Sequence, residues 1–96
     1  MYKLLVFVKK NNEEKVIDHF KNYSLKYLSE VSGKEVKLGE VESSLLLDQK
    51  YSHFCEFEAE SKSEMDRLMS SKAGKQLNND LMDFHQNIDI LFVDFN

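Results

Sequence analysis

The order in which the hydrophobic patterns alternate constrains this chain more than its composition does. A short apolar run is followed by a helical stripe, two strand-like runs, a second helical stripe and a closing apolar run. Six elements in the order β-α-β-β-α-β within 96 residues spell out a split βαβ arrangement of one domain, residues 1–96.

The first strand reads from Lys3 to Lys9. Leu4, Val6 and Val8 point one way and Leu5 and Phe7 the other, so both faces are apolar. In a two-layer domain only one face of a sheet meets the helices. The second face needs another cover, and a second copy of the same sheet supplies one. The closing strand, Ile88 to Phe95, has the same two-faced character: Ile90 and Phe92 on one side, Leu91, Val93 and Phe95 on the other. These two strands predict a homodimer.

The first helix is expected from about Glu13 to Val31. Asn11 with Glu14 resembles a capping box, and Gly33 is a suitable stop. Val16, Phe20, Tyr23, Tyr27 and Val31 recur at helical spacing, widened by Ile17 and Leu28. A second strand is expected from Glu35 into Leu47, interrupted at Gly39 by a bulge or bend. In the third, Tyr51 to Glu60, His53, Cys55, Phe57 and Ala59 share one face, assigned to the helices. Ser52, Phe54, Glu56 and Glu58 share the other. Ser61 with Glu64 is a second capping box. It opens a helix near Ser63 whose stripe is Met65, Leu68, Met69, Leu77, Leu81 and Phe84, with a kink or restart expected over Ser70–Gly74. The fold class is therefore α+β: a ferredoxin-like βαββαβ domain, an antiparallel four-stranded sheet with two helices on one face.

Composition narrows function mainly by exclusion. The net charge of −4 argues against nucleic acid, whose binding rests on Lys and Arg neutralising phosphates. No run of about 18 apolar residues is present, so no membrane span is expected. A strand beginning by Lys3 leaves no room for a signal peptide, and the lone Cys55 forms no internal disulfide, so a cytoplasmic setting is expected.

The candidates for chemistry are few. His53 points, by strand parity, toward the helix-covered side with Cys55 and Phe57. There it is a candidate base for a phenolic or enolic substrate, or else a hydrogen-bonded histidine at a strand start. Tyr23 and Tyr27, on the helix 1 stripe, are candidates to hold a developing oxyanion, or else core tyrosines. Phe20, Cys55, Phe57, Met65 and Met69 are the candidate lining of a ligand pocket between the two helices and the third strand. Cys55 as a nucleophile needs a cationic neighbour; a buried inert thiol is the alternative. His19 and His85 with Asp83 or Asp89 lack the tight spacing of a metal site, and neither a metal nor a cofactor is expected. Glu56 and Glu58 face away from the helices and need solvent or a cation such as Lys37.

Phe57–Met65, then Leu68 to Leu77, then Asp80 and Phe84, resemble the third-strand-to-second-helix segment of EthD-like proteins of the dimeric α/β-barrel superfamily. The likeness lies in an acidic-Ser pair closing the strand (Glu60-Ser61), a Ser-x-x-Gly-x-x-Leu segment (Ser71, Gly74, Leu77), and an Asp followed four residues later by Phe. The resemblance implies a ferredoxin-like monomer whose sheet packs on a twin, with a pocket between sheet and helices. Relatives include cofactor-free monooxygenases, cyclases, lactone isomerases and haem-degrading enzymes, and EthD-like members are tied to degradation pathways. Many EthD-like proteins carry a His closely followed by Pro late in helix 1. The matching region here, Tyr23–Tyr27, has neither, and His19 lies a turn earlier. The expected function is binding of a small apolar or aromatic ligand, with cofactor-independent oxidoreductase or isomerase chemistry. The alternative is a non-catalytic accessory protein of the same fold. No axial-ligand constellation supports a haem role.

Overall fold

The structure is a computed structural model that describes residues 1–10, 14–45 and 49–96. Its elements are β1 (Tyr2–Lys9), α1 (Glu14–His19), a π-helical turn (Phe20–Ser24), α2 (Leu25–Ser32), β2 (Gly39–Glu40), β3 (Tyr51–Ala59), α3 (Lys62–Ser70), α4 (Lys72–Met82) and β4 (Ile88–Asp94). The strands form one antiparallel sheet in the order β2-β3-β1-β4. Two helical arms lie on one face of this sheet, so the fold is the expected ferredoxin-like α+β arrangement.

The alternation in β1 sorts its residues as expected. Leu4, Val6 and Val8 are buried, and pair in register with Phe57, Cys55 and His53 on β3 and with Phe92, Ile90 and Ile88 on β4. That is the helix-facing side. Phe20, Leu28, Met65 and Leu77 pack onto it with almost no exposure, each such side chain contributing about 1.5–3 kcal/mol. Leu5 and Phe7 lie on the other face with Phe54, Leu91 and Val93, a side that no element among the described residues covers. Its centre is apolar and its rim is charged. At one end Lys3 pairs with Glu56 at 3.2 Å and sits 5.2 Å over the Phe95 ring. At the other, Asp89 accepts the Tyr51 hydroxyl at 2.7 Å and pairs with Lys9 at 3.6 Å; that bond and the carboxylate charge hold the Tyr51 hydroxyl above its ordinary pKa. The cation for Glu56 is thus Lys3.

Three local details differ from the sequence reading. The register slips between Val8 and Lys9, which pair with His53 and Tyr51. The extra residue, Ser52, is a bulge that turns the Tyr51 ring onto the open face, 5.0 Å from Phe7. The second strand shrinks to Gly39–Glu40; residues 35–38 run beside the sheet, with Val36 buried and its N–H bonded to Ser29 Oγ at 2.9 Å. Leu46 and Leu47, expected in that strand, and Asn11, expected to cap the first helix, lie outside the described residues.

The third difference is in the first helix. The inserted π turn shifts the buried stripe to Val16, Phe20, Ser24, Leu28 and Val31. Tyr23, expected on that stripe, is 54% exposed, and Tyr27 is half-buried against the core. Gly33, left-handed at φ 73°, ends the helix as expected.

The second arm breaks where its composition weakens. Ser71 is extended (φ −69°, ψ 168°) and caps α4 by accepting from the Gly74 N–H at 3.1 Å. Ser61 caps α3 the same way from Glu64 at 3.1 Å. Gly74 is there for space: a Cβ on it would sit 2.4 Å from the Leu68 carbonyl oxygen and 2.5 Å from Met69 backbone atoms. Gly74→Ala is expected to cost more than about 2 kcal/mol and to lower Tm by roughly 10 °C or more in thermal denaturation followed by circular dichroism. Equal stability of this variant and wild type would contradict the tight break.

Candidate functional site

Among the described residues, the most elaborate polar arrangement lies between the first helical arm and α4. Asp80 sits on the buried face of α4 beside Leu77 and Leu81, its side chain only 8% exposed. A carboxylate so placed is costly unless both oxygens find donors. Asp80 Oδ1 is 2.6 Å from His19 Nε2, and Oδ2 accepts the Ser24 hydroxyl at 2.6 Å. In a regular α-helix, residues five apart project about 140° from one another, so His19 and Ser24 would diverge. The π turn between them, closed by the Leu25 N–H bonding to the Phe20 carbonyl, widens the helix and returns both side chains to one side. Such single π turns recur at functional sites. The His19 ring lies 4.4 Å from Phe84 and 5.0 Å from Tyr23, centroid to centroid.

The residues singled out from sequence fall into three groups. Phe20, Cys55, Phe57 and Met65 are brought together in the hydrophobic core, each 5% exposed or less, with Tyr27 and Met69 packed against them. His53 lies apart, half-buried at the far end of β3, its Nδ1 2.8 Å from Ser52 Oγ. Tyr23 lies at the surface beside His19. The Cys55 thiol is pushed up to about 12, first by burial and then by the charge of Glu56. His85 is exposed and bonds the Met82 carbonyl at 2.9 Å through Nδ1. No group of three or more His, Cys, Asp or Glu suited to a metal ion is found among the described residues.

Sequence spacing does not join His19 to Asp80, although a signal exists. Asp80 and Ser24 each interrupt an apolar stripe at a core position, and a polar group there demands a partner. Locating that partner requires the π turn, which no residue pattern announces.

Among the described residues, surface clefts adjoin the sheet. One of about 430 Å³ runs across the α3–α4 break and along β4, lined by Asp66, Met69, Lys75, Asn78, Asn79 and Phe92. It exists because the helices stop short of the edge strand. Ile90 and Phe92 face the helix side yet remain exposed, Phe92 at 51%. A second, of about 500 Å³, lies at the start of β1 among charged side chains including Glu30, Glu60, Glu64 and Arg67. Arg67 grips Glu64 through two bonds of 2.7 and 3.0 Å and holds its carboxyl below the usual range. A third, about 180 Å³, separates Lys34–Val36 from Glu56–Glu58.

With this geometry in view, comparison with solved structures places the fold. An ethyl tert-butyl ether D (EthD) family protein from Bacillus halodurans superposes with a TM-score of 0.84 at 18% identity, over 100% of this chain and 99% of that one. A protein from Arabidopsis thaliana gives 0.62 at 23% identity, covering 99% and 92%. HapK from Hahella chejuensis gives 0.60 at 11%, covering 100% and 93%. No protein-family model matches the sequence, and no curated protein matches it. The fold is EthD-like. No helix among the described residues is long and apolar enough to cross a membrane.

Two outcomes check this description. The Cys55 thiol is buried and held protonated, so at pH 8 a thiol reagent such as DTNB is expected to react only as fast as the protein unfolds. Immediate reaction would contradict the burial. Asp80→Ala strips His19 and Ser24 of their acceptor and is expected to cost about 2–3 kcal/mol, measured by urea denaturation; a neutral substitution would show that the carboxylate is not buried in solution.

Proposed function

We propose that this chain is a homodimeric binding protein for a small aromatic or apolar ligand, on which it acts without a cofactor. One observation carries the reading: the cleft between the α3–α4 break and β4. It is of ligand size. Its apolar wall is Phe92 with Met69, a residue expected from sequence to line a pocket. Asn78, Asn79, Asp66 and Lys75 supply a polar rim that can orient a hydroxyl or carbonyl. The homodimer rests on the open sheet face, where an apolar centre of Leu5, Phe7, Phe54, Leu91 and Val93 is ringed by charged pairs, the usual anatomy of an interface. The solved relatives of this fold include a member of a family named for ethyl tert-butyl ether, in keeping with a small, weakly polar ligand.

A second reading, a non-catalytic accessory protein of the same fold, is favoured by the closed core. Phe20, Cys55, Phe57 and Met65 fill the space between helices and sheet, and the Cys55 thiol is held protonated. Binding without turnover distinguishes the two.

Titration of isotope-labelled protein with 1-naphthol, followed by NMR, tests the reading. Shifts are expected at Met69, Asn78, Asn79 and Phe92, with affinity falling about tenfold or more in Phe92→Ser, as for loss of one well-buried aromatic contact. Absence of shifts at these residues up to millimolar ligand would overturn the assignment.

A further inference from the structure

We propose that His19, Asp80 and Ser24 form a proton-accepting site for a small acidic hydroxyl compound, a phenol or an enol, seated against Tyr23 and Phe84. The site goes beyond the β4 cleft: Asp80 leaves α4 on a different side from Asn78 and Asn79, toward the first helical arm.

Hydrogen-bond logic fixes where the proton sits on this histidine. A carboxylate only accepts. At 2.6 Å from Asp80 Oδ1, His19 Nε2 must carry the shared proton, so in the neutral ring the lone pair is on Nδ1. Among the described residues Nδ1 has no partner. The second carboxylate oxygen is engaged by Ser24, which fixes Asp80 from both sides. Asp80 therefore sets the tautomer and orientation of a histidine whose side chain is itself 30% exposed. A carboxylate behind a histidine is the arrangement that fixes the tautomer of the imidazole and faces the positive charge formed when the ring takes up a proton. The Phe84 and Tyr23 rings, 4.4 and 5.0 Å from the imidazole, give the site an aromatic wall.

The step is one proton transfer. The ligand O–H bond breaks, an N–H bond forms at His19 Nδ1, and the electron pair stays on the ligand oxygen. The imidazolium then faces the Asp80 carboxylate and the ligand anion, and no oxidant or reductant enters. His19 is the group that touches the ligand; Asp80 is a positioning residue acting through it. The π turn supplies the geometry, since without it Ser24 would leave Asp80 and the carboxylate would have one donor only.

The probe is p-nitrophenol, whose phenolate absorbs in the visible. Bound to wild-type protein at pH 6, it is expected to show a phenolate-to-phenol ratio about tenfold above that of the free dye, one unit of effective shift. The gain is expected to vanish in His19→Gln, to fall severalfold in Asp80→Asn, and to persist in Phe92→Ser, which removes the cleft wall but leaves this site intact. Nitrogen-detected NMR of wild-type histidines at pH 8 gives a readout that needs no variant to fold: His19 is expected as the Nε2–H tautomer, and in Asp80→Asn that preference is expected to weaken. A His19 carrying its proton on Nδ1 would overturn the proposal. So would a dye spectrum unchanged by the protein, or a phenolate gain that survives in His19→Gln.

Discussion

A sheet with two apolar faces and helices enough for one sets the conditions for everything else in this molecule. β1 is the central strand, hydrogen-bonded on both sides, and its Leu4, Val6 and Val8 anchor a core closed by Phe20, Leu28, Met65 and Leu77. Its other side chains, Leu5 and Phe7, are left with Phe54, Leu91 and Val93 on a surface that a soluble monomer has no reason to keep apolar. The charged pairs at either end, Lys3 with Glu56 and Lys9 with Asp89, frame this patch and do not interrupt it. Burying such a centre on a second copy would place apolar against apolar and leave the ion pairs at the rim, where they would set register at little desolvation cost.

On the helix side the dominant constraint is a buried carboxylate. Asp80 needs two donors, and the first helical arm provides them only by departing from α-helical geometry. The π turn over Phe20–Ser24 thus has a consequence at each level. It rotates the buried stripe, it puts Tyr23 at the surface next to His19, and it completes the polar cluster that joins this arm to α4. The same economy appears in the second arm, where Gly74 permits a break so tight that Lys75, Asn78 and Asn79 come to face Met69 and Phe92 across one cleft.

Period-2 and helical spacing made the element order, the parity of β1 and β3, the Gly33 stop and the break near Gly74 legible, because each rests on local chemistry: alternation, capping, or the lack of a side chain. What stayed hidden depends on one-residue insertions. The Ser52 bulge sends Tyr51 to the face opposite its nominal parity, and the π turn moves the first helix stripe from Tyr23 to Ser24. Neither insertion leaves a pattern, since each is stabilised by partners distant in sequence: Asp89 for Tyr51, Asp80 for Ser24. For the same reason the candidate site read from sequence gathered core residues, Phe20, Cys55, Phe57 and Met65, whereas His19 and Asp80, 61 residues apart, went unjoined.

What covers the open sheet face decides how this molecule exists in solution. Sedimentation equilibrium of the purified chain across micromolar concentrations measures this directly. Closure by a second copy requires twice the 11.3 kDa chain mass for the wild type and the single-chain mass for Phe7→Lys, which places a charge at the centre of the patch with the helix-side core untouched. A wild-type chain that remains at 11.3 kDa at tens of micromolar, a range in which a sheet-on-sheet interface of standard affinity is already populated, would contradict it.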